Sequence, residues 1–184
     1  MGAFLTGRLL LATPRITEPV FRRSVVLLLH HDGDGAHGLV LDKPLGVSAE
    51  TVLPGWSAHL SAPPQLFQGG PVSLDTALGL AWLPGVATPS GVHRLFGAMG
   101  VVDLDGDPSD LAREVGGLRV FAGYSGWGSG QLEGEIEEGG WFVVPSAPGD
   151  AFVEDPVHLW RDVLRRQRGR LAFVSTFPED PSVN

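Results

Sequence analysis

The side chains best suited to binding chemistry gather in one stretch, Leu118 to Glu138, which reads LRVFAGYSGWGSGQLEGEIEE. Gly123, Gly126, Gly128 and Gly130 follow one another closely there, and each can take φ > 0 or admit a second backbone at an entropic cost. Tyr124 and Trp127 combine large apolar area with a polar tip, which suits contact surfaces. Gln131 falls in the first turn of the acidic helix that follows, where free N–H groups attract negative charge. A strand, a glycine turn and a helix start can cradle an anion. However, the dinucleotide fingerprint fails, because Gln131 or Glu133 stands where its third glycine belongs, and the P-loop lacks its Lys-Ser/Thr. Ser125 lacks the nucleophile elbow, with Trp127 in place of the last glycine. Two readings stand side by side: a structural turn that lets Tyr124 and Trp127 pack, and a ligand-binding turn.

Other clusters carry less. His30, His31, Asp32, Asp34 and His37 surround a hairpin turn. His30 and His31 point to opposite faces of a strand and cannot share an ion, although His31 and His37 could meet across the hairpin. Asp103, Asp105, Asp107 and Glu114 imitate a calcium loop, but Pro108 occupies the position that needs glycine. Asp107-Pro108 as a helix start explains the same letters. Arg161, Arg165, Arg166, Arg168 and Arg170 form a basic cluster, which we read as cations near a helix C-terminus. Arg22 and Arg23 are a smaller cationic spot that would form an anion pocket if it lay beside the glycine turn. No metal set, catalytic set or cofactor motif is expected.

The elements that must position these residues can be read along the chain. Strands are expected over 7–12, 24–31, 37–42, 66–68, 77–83, 95–104 and 141–144, with a strand buried on both faces leading into Gly123. Asp32-Gly33-Asp34-Gly35 signals a hairpin. Short helices are expected from Ser48 to about Leu53, from Asp107 to about Val115, from an N-cap at Ser129, and from Asp155. Val157, Trp160, Val163 and Leu164 would form the inner face of the last of these. Leu171–Val174 reads as a last short strand or extended packing segment, and the tail 177–184 as loosely attached. The fold class is α+β, with one domain over residues 1–184.

Composition narrows the function. Hydrophobic content of 43% fits a globular protein, and a net charge of −8 with pI near 5.1 opposes direct nucleic-acid binding. There is no cysteine and hence no thiol chemistry. No apolar run reaches the length of a membrane span, and no signal peptide is visible, so a cytoplasmic location is expected.

Gly-Tyr-Ser-Gly-Trp-Gly-Ser-Gly-Gln-Leu-Glu at 123–133 resembles the signature of the AlgH/YqgE family of small bacterial proteins. Phe21-Arg22-Arg23-Ser24-Val25, with His30 and Gly38-Leu39-Val40, is similar to that family's first hairpin. Gln68-Gly69-Gly70-Pro71-Val72 is similar to its Gly-Gly-Pro turn, and Trp141 falls where it also has a tryptophan. The resemblance spans about residues 7–184. One departure is Asp42-Lys43-Pro44, where the family usually has Asn-Lys/Arg-Pro. The resemblance implies a mixed, strongly bent sheet forming a pseudo-barrel with short helices outside, and a putative transcriptional regulator without established catalytic residues. The reading that follows is a non-catalytic regulatory or binding protein acting through a protein or small anionic ligand at 123–131. The expected contacts are Tyr124, Trp127, Gln131, Gly126, Gly128, Arg22 and Arg23. The alternatives are an enzyme on a small anionic substrate at the same turn and a direct DNA-binding regulator.

Overall fold

The computed structural model describes residues 4–179. Ten strands run in chain order: β1 Leu9–Ala12, β2 Val25–Asp32, β3 Gly35–Val40, β4 Pro44–Ser48, β5 Gln65–Gln68, β6 Val72–Trp82, β7 Val92–Phe96, β8 Met99–Val102, β9 Gly117–Gly128 and β10 Trp141–Val144. They form one strongly curled, mixed sheet of order β10-β1-β2-β3-β9-β6-β8-β7, with β4 paired to β5 and β5 paired to β9. Every pairing is antiparallel except β5 with β9. Short helices lie outside it: α1 Ala49–Val52, α2 Pro108–Ala112, α3 Gln131–Glu137, α4 Leu159–Arg165 and α5 Arg170–Val174. The class is α+β.

The strand alternation explains the two main cores. Side chains of a strand point alternately to its two faces. Leu9, Leu11, Val25 and Leu27 therefore enter one core with Phe67, Phe121 and the buried face of α4. Leu10, Ala12, Val26 and Leu28 enter the other with Trp127, Trp141 and Leu132 of α3. A sheet covered on both faces needs continuous apolar runs, and β1 is fully buried along its length.

Helix starts expected from the sequence hold at two places. Ser48 accepts the Glu50 N–H, and Asp107 Oδ1 accepts the Ser109 N–H at 2.9 Å with Pro108 next. Others differ. The N-cap of α3 is Gly130, in a left-handed conformation at φ 73°, and Ser129 instead donates its hydroxyl to the Gly33 carbonyl at 2.7 Å. The expected single strand over 95–104 is the β7–β8 hairpin, turned at Gly97 with φ 48°. Leu171–Val174 lies in α5, where the three-residue spacing of Leu171 and Val174 brings both onto the first core. Val157 precedes α4 in a 3-10 turn and is exposed. Asp155 makes no side-chain cap there; its carboxylate takes the His158 ring at 2.6 Å. Of the tail, residues 180–184 lie outside the described residues.

Candidate functional site

The expected glycine turn is, in the structure, the end of a strand. β9 runs through Gly126 and Gly128, which pair with His37 and Gly35 of β3. Neither has a positive φ, and both leave room for a Cβ. The tight backbone approach lies three residues before Gly126. Gly123 takes φ 70°, and a Cβ there would sit 2.7 Å from the Gly70 carbonyl oxygen; a Cβ on Gly70 would strike the Tyr124 backbone. The Gly69-Gly70-Pro71 turn is thus pressed against the bend of β9.

The side chains of this joint are spent on one another. Trp127 is buried, and its indole N–H donates to Glu135 Oε2, which also receives the Trp141 indole N–H. Gln131 is exposed, but Oε1 accepts the Gly128 N–H and Nε2 donates to Glu135 Oε1. Tyr124 is half-buried, its ring 5.6 Å from that of His37. Ser125 is fully buried and donates to the Gly69 carbonyl. A cavity of about 460 Å³ beside Gly126 has Phe21, Trp127 and Trp141 in its wall, and around it the carboxylates of Glu18, Glu135 and Glu138 outnumber the cation of Arg15. Its acidic surroundings do not suit the anion expected there.

Arg22 and Arg23 lie elsewhere. The residue that reaches Trp127 is their neighbour Phe21, with ring centroids 6.4 Å apart. The two arginines line a cleft of about 1040 Å³ between the 19–23 turn and α4. Arg161 and Arg165, one helical turn apart, face it from α4. Lys43 and the buried Asp42 face it from the segment between β3 and β4. The counter-charges are Asp162 of α4 and Glu179 of the tail, while the His158 ring at the border is engaged by Asp155. Among the described residues, none of the five cations makes an ion pair within 4.0 Å.

The cleft is held in shape by specific contacts. Trp160 Nε1 donates to the Ala12 carbonyl at 2.9 Å, which fixes its ring. The Arg23 guanidinium lies 4.7 Å over that ring and donates to the Phe177 carbonyl. Arg23 itself has φ 51°, uncommon outside glycine and strained. Desolvation, then the nearby Arg161 charge, lower its pKa, partly opposed by Glu179. Asp42 Oδ1 accepts the Val25 N–H at 3.0 Å. Burial pushes its pKa up to about 6, against the pull of Lys43. The sequence marked Asp42 only as a departure from a resemblance. The Arg161/Arg165 spacing was the signal of a cationic helix face, but nothing local tied it to Asp42.

The remaining clusters do not assemble. Cross-strand register sets His30 opposite His37, so His31 and His37 do not meet; His31 is buried and bonded to Glu133 at 2.7 Å. Among the described residues no group of three or more His, Asp or Glu side chains could hold a metal. Asp103 Oδ1 accepts the Asp105 N–H within its own turn. The basic run 161–170 is no continuous face: Arg166 pairs with Asp150 through two bonds of 2.6 and 2.7 Å. No helix among the described residues is long and apolar enough to cross a membrane.

A strongly curled mixed sheet with a few short helices outside it defines the class of the protein as α+β. The AlgH-like family model matches residues 9–172, and the chain belongs to that family. It is 54% identical over 184 residues to a UPF0301 protein of Streptomyces avermitilis, covering 98% of this chain and 95% of that one. It is 45% identical over 181 residues to a UPF0301 protein of Mycobacterium tuberculosis, covering 97% and 90%. The crystal structure of protein DIP2367 from Corynebacterium diphtheriae superposes with a TM-score of 0.88 at 33% identity, covering 96% and 94%. The solution structure of AlgH from Pseudomonas aeruginosa shares the fold, with a TM-score of 0.69 at 24% identity over 98% and 97%.

Proposed function

We propose that the protein is a non-catalytic regulatory or binding protein that takes a small anionic ligand in the cleft between Arg22-Arg23 and α4. The observation that carries this reading is five clustered cations without an ion-pair partner among the described residues. Like charges held together in a partly closed cleft repel, and an anion relieves that repulsion. The cleft is at the upper end of small-ligand size. The absence of catalysis is supported by the hydroxyls of Ser125 and Ser129, both of which donate to backbone carbonyls. Titration calorimetry with inorganic pyrophosphate at low salt tests the reading. Binding by the parent, lost in Arg161→Ala/Arg165→Ala at unchanged melting temperature, is the expected result. No heat with the parent, or unchanged affinity in the double variant, would overturn it.

A protein contact at the glycine strand is the second reading. It is favoured by the exposure of Gly126 and Gln131, which line the aromatic cavity, and of Gly128 on the same strand as Gly126. Tyr124 and Trp127 then act as its scaffold. Gln131→Ala leaving a pull-down unchanged would remove it.

A further inference from the structure

The cleft contains a feature that simple charge attraction does not call for. A site built only to hold an anion has no use for a carboxyl group, yet Asp42 borders this one while 6% exposed. It makes no ion pair among the described residues, although Lys43 is adjacent in sequence. The Lys43 ammonium is turned away to the Arg22 carbonyl at 2.7 Å. Val25 N–H occupies one acceptor position of Asp42 Oδ1. An ionised carboxylate offers about four such positions and no donor. What Asp42 lacks is a proton donor coming from the cleft.

Anions differ in whether they bring one. Sulfate is fully deprotonated near neutral pH and only accepts. Inorganic phosphate keeps an O–H, so it can accept from the arginines and donate to a carboxylate at the same time. A carboxylate facing sulfate leaves two negative groups in contact with no hydrogen between them, and a buried, unmatched charge is costly.

Resting on the anion-binding reading above, we propose that the ligand is a phosphate that retains an O–H and that Asp42 is the specificity-determining residue, accepting that O–H while Arg23, Arg161 and Arg165 hold the remaining oxygens. Asparagine, the residue that the family resemblance leads one to expect at this position, offers an N–H₂ as well as an acceptor and so tolerates either anion. Asp42 thus converts a general anion cleft into a phosphate-selective one.

The test is calorimetric titration of the full chain with inorganic phosphate and with sulfate at about pH 7.5 and matched ionic strength. Phosphate is expected to bind at least about tenfold more tightly. Asp42→Asn keeps the Oδ1 acceptor for Val25 and is expected to bring the two affinities within about threefold. Arg161→Ala should weaken both anions alike. Glycerol 3-phosphate separates the sources: a monoester loses its last P–O–H at about pH 6 and brings none at pH 7.5, so it is expected to bind more weakly than inorganic phosphate, and tighter binding would overturn the role of Asp42. Equal affinity of the parent for phosphate and sulfate would overturn the proposal and leave the anion-binding reading intact. No binding of phosphate, sulfate or pyrophosphate would overturn both. The ratio measured on the parent decides the matter even if a variant fails to fold.

Discussion

Trp127 donates its indole N–H to Glu135 Oε2 at 2.9 Å, joining the end of β9 to the second turn of α3. The same oxygen accepts the Trp141 N–H at 2.8 Å from β10. One carboxylate therefore satisfies two buried indoles whose rings pack edge to face, 6.1 Å apart. The acidic helix serves as an acceptor platform for the core beneath it.

Glu135→Ala is accordingly expected to destabilise the fold by about 2–4 kcal/mol, because two buried donors lose their partner together. Glu135→Gln keeps one acceptor oxygen and should cost less than half as much. Urea unfolding followed by tryptophan fluorescence measures both. Equal stability of Glu135→Ala and the parent would show that the indoles find other partners.

The glycines should divide sharply. Gly126→Ala lies in an extended strand with room for a Cβ and is expected to change stability by less than about 1 kcal/mol. Gly130→Ala has open space but φ 73°, and should cost about 1–2 kcal/mol. Gly70→Ala drives a Cβ into the Tyr124 backbone and should abolish cooperative folding. Thermal melts of the three variants check that order.

Arg119 tests a different part of the fold. It is 1% exposed, has no carboxylate partner among the described residues, and lies 4.3 Å over the Phe67 ring. Its guanidinium donates to the carbonyls of Ala62, Ala151 and Val153, tying two loops to β9. Burial lowers its pKa to about 10. Arg119→Ala removes the donors of three carbonyls and opens a cavity, so a loss of about 3–5 kcal/mol is expected in denaturant titration. A loss under about 1 kcal/mol would mean that the loops hold without it.

How far the sequence revealed these relationships follows from range. Leu9–Ala12 and Val25–Leu28 were legible because continuous apolar runs mark strands covered on both faces. Ser48 and Asp107 were legible because capping is local. The β7–β8 hairpin was missed because the loose alternation of 95–104 continues across Gly97, where only the backbone shows the turn. Four adjacent glycines looked equally expensive, but whether a glycine is required depends on what approaches it. Gly69 and Gly70 approach Gly123 and Tyr124 from some fifty residues away. The cleft was hidden for the same reason: Arg22 and Arg23 were visible as cations, whereas Asp42 and Arg161 join them only through the fold.

Asp42 also ties the cleft to stability through pH. Its carboxyl sits at about 6 in the folded protein, raised chiefly by burial from an ordinary value near 3.8. The folded state therefore binds more protons than the unfolded state between those values, and stability falls as pH rises through the interval. The contribution of Asp42 is fully favourable below about pH 4 and has been lost above about pH 6. The surrounding charges are Arg22 and Arg23 from the 19–23 turn, Lys43 beside it, Arg161, Asp162 and Arg165 from α4, His158 from the preceding 3-10 turn, and Glu179 from the tail. Asp42→Asn leaves all of these in place and keeps the acceptor for Val25, removing only the cost of ionisation. It is expected to stabilise the protein by about 2–3 kcal/mol at pH 7.5 and to be nearly neutral at pH 4. Denaturant titrations of parent and variant at the two pH values give the difference directly. A variant less stable than the parent at pH 7.5 would show that the ionised carboxylate is stabilised by the cations around it. A gain in stability would identify Asp42 as a residue held at a cost to the fold.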